Sequence, residues 1–82
     1  MKSRAEVESI VDKVLGTVLR IDAGAVPSAR RGETAGWSSL MHVEVFFALE
    51  EEFGVRFPED DMAFAESRDD LVDTVCSALS IG

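Results

Sequence analysis

Two adjacent serines, Ser38 and Ser39, stand where an irregular stretch gives way to an apolar, periodic one, and His42 follows about one helical turn later. Serine and histidine at that spacing raise the chemistry of an activated nucleophile. That chemistry also needs a third group to orient the imidazole, donors for an oxyanion and a cleft. The chain has no second histidine and no strand-turn-helix elbow, so hydrolysis is set aside, and His42 is expected to be a partly exposed helix residue. The other chemistry open to these serines depends on position alone. In the first turn of a helix, a hydroxyl lies beside backbone N–H groups that lack partners and at the positive end of the helix dipole, which favours a phosphate ester. The bland alternative for Ser38 and Ser39 is helix capping and nothing more.

The remaining reactive residues offer less. One cysteine, Cys76, excludes an internal disulfide, and one Cys with one His excludes a structural zinc site built from those ligands. Cys76 lies on an apolar helical stripe and reads as an inert core thiol. Glu59, Asp60 and Asp61 lack the twelve-residue loop and central glycine of a calcium site. Trp37 is expected to anchor the end of the irregular segment against the fold, with contact to a group esterified on the neighbouring serine as the alternative.

The elements that must position Ser39 are helical. Val7, Ile10, Val11, Val14, Leu15, Val18 and Leu19 recur with the helical period, and Ser3 with Glu6 forms a capping-box pattern, predicting a helix from about residue 4 to about 20. Gly24, Pro27, Gly32 and Gly36 then punctuate a loop from Ile21 to Trp37, longer than a domain of this size ordinarily carries. The second helix runs from Ser39 to Phe53, with Gly54 as its stop. Val45, Phe46, Leu49 and Phe53 make a core stripe. Leu40, Val43, Phe47 and Ala48 make a second one interleaved with Glu44 and Glu51, so this helix is either buried on two sides or shows solvent an apolar strip with an acidic border. Glu59 to Phe64 suit one short helical turn with acids at its positive end. A last helix begins near Arg68, capped by Ser67 with Asp70, and carries Leu71, Val72, Val75, Cys76 and Leu79. The fold class is all-α: a small four-helix bundle of three main helices plus one short helix, with a long loop between helices one and two, forming a single domain over residues 1–82.

Charge narrows the partners. The net charge of −8 divides unevenly: residues 1–31 carry six basic and four acidic side chains (+2), and the remainder carries two basic and twelve acidic (−10). Such a segment repels nucleic acid and anionic membranes and steers toward basic protein surfaces. No apolar run reaches the ~18 residues of a membrane helix, and Glu6 and Glu8 interrupt what would have to be a secretory apolar stretch, so a monomer in the cytoplasm is expected. A chain of 82 residues buries only roughly 60% of its unfolded surface, which disfavours a deep active site of its own.

From Gly36-Trp37-Ser38-Ser39-Leu40 through Glu44 to the run Ala48-Leu49-Glu50-Glu51-Glu52-Phe53, and on through Phe57-Pro58 and the acidic turn, the sequence resembles the acyl carrier proteins. The resemblance spans nearly the whole chain. It implies that a phosphopantetheinyl transferase attaches 4′-phosphopantetheine from coenzyme A to Ser39, and that the protein is no enzyme but carries acyl thioesters between the enzymes of fatty acid, polyketide or related biosynthesis. It also implies, as partners, a loading ligase for acyl or aminoacyl groups and downstream acyltransferases, synthases or modifying enzymes with basic patches. Leu40, Met41, Glu44, Phe47, Ala48 and Glu51 are the residues expected to meet them. The family has Asp where this chain has Ser38, a comparable helix cap that lacks the charge. An aminoacyl carrier and an unmodified helical adaptor for a basic partner stay open beside this reading.

Overall fold

In a computed structural model that describes residues 3–81, Ser3 opens the first helix, α1, Arg4–Leu19. Its hydroxyl accepts from the backbone N–H of Glu6 at 3.2 Å while the Glu6 carboxylate accepts from the backbone N–H of Ser3 at 3.4 Å, closing the expected capping box. Arg20 ends the helix in the left-handed region, and the chain enters the long connection. That connection is more structured than its lost periodicity suggests. Ala23–Ser28 wind as a 3₁₀ turn around the buried Val26, Ala29 is buried, and Arg30 then pairs with Ser67 in an isolated antiparallel bridge. Six residues with one buried valine complete no apolar period, which is why a loop was expected there.

The second helix, α2, Ser39–Phe53, stops at Gly54, whose φ of 66° places it in the left-handed region and whose N–H donates to the carbonyl of Glu50 at 2.9 Å. The short α3, Glu59–Phe64, follows Pro58 with three carboxylates in its first turn, and α4, Arg68–Ala78, is capped by the Ser67 hydroxyl accepting from the Asp70 N–H at 3.1 Å. No strand is present among the described residues. One apolar core joins Val7, Val11, Val14, Leu15 and Leu19 of α1 to Val45, Phe46 and Leu49 of α2 and Leu71, Val72, Val75 and Cys76 of α4. The all-α bundle of three main helices and one short helix is therefore the fold observed. Helix α1 packs on both α2 and α4, and α3 buries none of its residues completely.

A cross-link with no local signature in the sequence fastens α1 to α4. The Arg68 guanidinium donates through Nε to Asp12 Oδ1 at 2.7 Å and through Nη2 to Asp12 Oδ2 at 3.1 Å, and its Nη1 reaches Asp69 at 2.9 Å and Glu8 at 3.5 Å. Two-pronged, charge-assisted geometry on a side chain only 13% exposed sets it apart from the open Arg4–Asp73 pair. Arg68→Ala is expected to lose about 1.5–3 kcal/mol of stability, read as a lower urea midpoint at unchanged slope, whereas Arg4→Ala leaves that midpoint close to the wild type's.

Candidate functional site

Ser38 caps α2 from outside the helix. Its backbone is extended (φ −86°, ψ 175°) and its hydroxyl accepts from the Met41 N–H at 3.2 Å, the work a capping aspartate would do. Ser39 is the first helical residue and is exposed. The two hydroxyls are thus unlike: that of Ser38 is held in the cap, and that of Ser39 has no hydrogen-bond partner among the described residues. The first turn of α2 contains no acidic residue, so the backbone N–H groups of Ser39 and Leu40 face no carboxylate of that turn.

The residues expected to meet partners separate into two rows. Leu40, Glu44, Phe47 and Glu51, at i, i+4, i+7 and i+11, form one exposed stripe running down the helix from Ser39, with Leu40 72% and Phe47 56% exposed and Val43 beside them at 40%. Met41 and Ala48, seven residues apart, lie on a flank and are half-buried against the core. Ala48 also lines, with Glu51, Glu52, Lys13 and Val14, a shallow groove of about 220 Å³ between α1 and α2. Of the alternatives left by the sequence, the second stripe of α2 is therefore a solvent-facing apolar strip with an acidic border. Glu50 does not belong to that border. Half-buried, it accepts from the backbone N–H of Phe57 at 2.8 Å and pins the chain after α2.

His42 departs from expectation. It is 4% exposed and points inward, where its Nδ1 accepts from Trp37 Nε1–H at 3.0 Å and its Nε2 meets the Met62 carbonyl at 2.7 Å. An indole N–H only donates, so the imidazole proton must sit on Nε2. Burial holds the imidazole's pKa below its ordinary value, the charge of Arg31 acts in the same direction, and the bond to Met62 opposes them. Trp37, 1% exposed, anchors the loop end as expected, and a run of aromatic contacts continues from it: Trp37 to His42 at 5.9 Å, His42 to Phe46 at 5.1 Å, Phe46 to Phe57 at 5.4 Å. A histidine so engaged is no general base for Ser39. Phe64 on α3, 80% exposed, is an apolar surface residue that the sequence pattern left unassigned. Among the described residues no group of three or more His, Cys, Asp or Glu is placed to hold a metal, and no helix is long and apolar enough to cross a membrane.

No family model matches the chain. Individual proteins do. It is 36% identical over 75 residues to acyl carrier protein 2, mitochondrial, of Arabidopsis thaliana, an alignment covering 90% of this chain and 60% of that protein. It is 31% identical over 74 residues to the acyl carrier protein of Thermosynechococcus vestitus, covering 89% of this chain and 91% of that protein. The chain belongs to the acyl carrier protein family. As an acyl carrier protein it is a carrier and not an enzyme, which suits an 82-residue bundle whose one buried histidine is committed to structure. The elements of this carrier bring Ser39 and the Leu40–Glu44–Phe47–Glu51 stripe onto one exposed side of α2, and leave Met41 and Ala48 at its margin.

Proposed function

We propose that Ser39 is the attachment serine for 4′-phosphopantetheine, transferred from coenzyme A by a phosphopantetheinyl transferase. The observation that carries this reading is the contrast between the neighbouring hydroxyls, one tied into the cap and the other exposed at the head of α2. The chain fits such a group: the Ser39 oxygen is open to substitution, and the N–H groups of Ser39 and Leu40 supply donors toward a phosphate with no carboxylate in the same turn. When bound, the group supplies a thiol on a flexible tether, on which a cargo is held as a thioester at high effective concentration. Ser39 holds the ester, and Ser38 keeps the helix start intact around it. Leu40, Glu44, Phe47 and Glu51 then face whichever enzyme acts on the cargo, with Met41 and Ala48 bordering the contact.

The cargo class we propose is an acyl group of fatty acid, polyketide or related biosynthesis, loaded by a ligase and used by acyltransferases, synthases or modifying enzymes with basic docking patches. The protein acts as a monomer in the cytoplasm. A buried free thiol at Cys76 suits a reducing compartment. The Arabidopsis relative is named for the mitochondrion, and cell fractionation separates the two locations.

Incubation with coenzyme A and a promiscuous transferase, followed by intact mass measurement, is expected to add one phosphopantetheine. No gain under conditions that modify a control carrier overturns the proposal and leaves the unmodified adaptor. A further expectation concerns docking. Glu44→Lys with Glu51→Lys is expected to slow association with the transferase by about tenfold at low salt, with the gap closing as salt rises and circular dichroism unchanged. Rates indifferent to both charge and salt would remove the acidic stripe from the docking surface.

A further inference from the structure

His42 is the single histidine of the chain and, among the described residues, the one polar residue in the core, and attachment of a group to Ser39 makes no use of it. Its two nitrogens bridge three segments. Toward the loop it holds Trp37, which immediately precedes the Ser38 cap; toward α3 it holds the Met62 carbonyl. Because α3 buries none of its residues fully, it depends on such ties. Among the described residues, the bond from His42 and that from Arg31 Nη2 to the Ala63 carbonyl at 3.1 Å are the side-chain hydrogen bonds that other elements make to it. The bridge works for one protonation state only. Neutral imidazole with its proton on Nε2 accepts from Trp37 and donates to Met62. A second proton would sit on Nδ1 and set one N–H against another across 3.0 Å, with no acceptor between them.

We propose that His42 is a proton-sensitive positioning residue for Ser39: neutral, it fastens Trp37 to α3 and fixes the chain entering the Ser38 cap; protonated, it releases Trp37 and loosens the loop end and α3 together. Glu44 on α2 and Glu59, Asp60 and Asp61 on α3 are exposed and do not offset a positive imidazole. No charged group of α1 or α4 bears on it, and Arg31, from the loop, acts against its protonation. The folded chain therefore takes up this proton less readily than the unfolded chain. The stability contributed by the bridge is complete above the unfolded value of about 6.5 and is lost as the pH falls from there through the lower folded-state value.

The part of this inference that concerns modification rests on Ser39 being the attachment serine, whereas release of Trp37 does not. One tryptophan and one histidine give each ring its own signal. The indole Nε1–H and imidazole resonances of the unmodified protein are followed by NMR from neutral pH downward, and initial transferase rates are taken at each pH for wild type and for His42→Gln, which does not titrate and retains a donor for Met62. The expected result is an imidazole midpoint below that of ordinary histidine and an indole resonance that moves with it. The wild-type to variant rate ratio is expected to fall about tenfold one pH unit below that midpoint, where about a tenth of the molecules keep the bridge. An indole signal that stays put while the imidazole titrates, or one that moves equally in His42→Gln, overturns the bridge. A moving indole with a flat rate ratio overturns the positioning role. If neither protein is modified at any pH while a control carrier is, the assignment of Ser39 fails, and the indole titration still decides the bridge on its own. Should His42→Gln not fold, Trp37→Phe decides: it removes the opposing donor, and the imidazole midpoint is expected to rise toward the ordinary value, an unchanged midpoint overturning the proposal.

Discussion

Ser39→Ala is expected to abolish the mass gain on incubation with coenzyme A and a phosphopantetheinyl transferase, while Ser38→Ala retains it in full. The effect is all or none because the ester has one oxygen to form on. The proposed choice of oxygen follows from α2: the Ser38 hydroxyl accepts from Met41 N–H at 3.2 Å to start the helix, and an ester there would have to disturb the cap that presents it. The Ser39 hydroxyl makes no such bond among the described residues. Ser38→Ala therefore shows its effect elsewhere, as a stability loss of about 1 kcal/mol from the missing cap. Ser39→Ala loses no cap bond and leaves stability nearly unchanged. The two substitutions should thus give opposite patterns, one silent in stability and null in modification, the other the reverse. A mass gain that survives Ser39→Ala and disappears in Ser38→Ala would move the site by one residue.

The helices were legible because each advertises itself locally. In α1 and α4 a capping serine stands three residues before Glu6 or Asp70 and is followed by an unbroken apolar period, and in α2 a glycine closes the run. What escaped was non-local or read from the wrong neighbour. Arg68 and Asp12 lie 56 positions apart, and no periodicity announces that their side chains meet. Nearness to Ser39 along the helix suggests a partly exposed His42. Its place at i in the series His42, Val45, Phe46, Leu49 is the inward one, and all four are buried. Phe53, placed in that stripe by the sequence, ends half-buried where the helix stops at Gly54. Periodicity alone does not decide the exposure of the outer row, because it identifies two faces without saying which one a third element covers. Here Met41 and Ala48 pack half-buried against the core, with Ala48 beside α1, and the Leu40–Phe47 row stays open.

Trp37→Ala is expected to cost more stability than any surface change in this protein. Removing a buried tryptophan side chain loses about 3–5 kcal/mol. The chain has 82 residues, so its total stability is of the order of 4–12 kcal/mol, and the variant gives up a large fraction of it. Part of the cost is polar: without the indole donor, Nδ1 of His42 is left in the core with an unused lone pair, a penalty of about 1–3 kcal/mol that Trp37→Phe isolates by keeping most of the ring's volume. Phe64→Ala is the matched control, since a ring 80% exposed loses little on truncation and its cost stays within about 0.5 kcal/mol. Urea unfolding followed by far-ultraviolet circular dichroism orders the three, with Trp37→Ala lowest in midpoint, Trp37→Phe between and Phe64→Ala beside the wild type. The order has a functional corollary, because Trp37 is joined to Ser39 through a single residue. If the aromatic run from Trp37 to Phe57 holds the head of α2 in place, Trp37→Phe should slow transfer to Ser39 even where the protein is fully folded, and Phe64→Ala, which leaves that run untouched, should not slow it by the same route. Equal midpoints for Trp37→Ala and Phe64→Ala would mean that the loop end is not anchored through its indole, and the link from core packing to Ser39 would be lost.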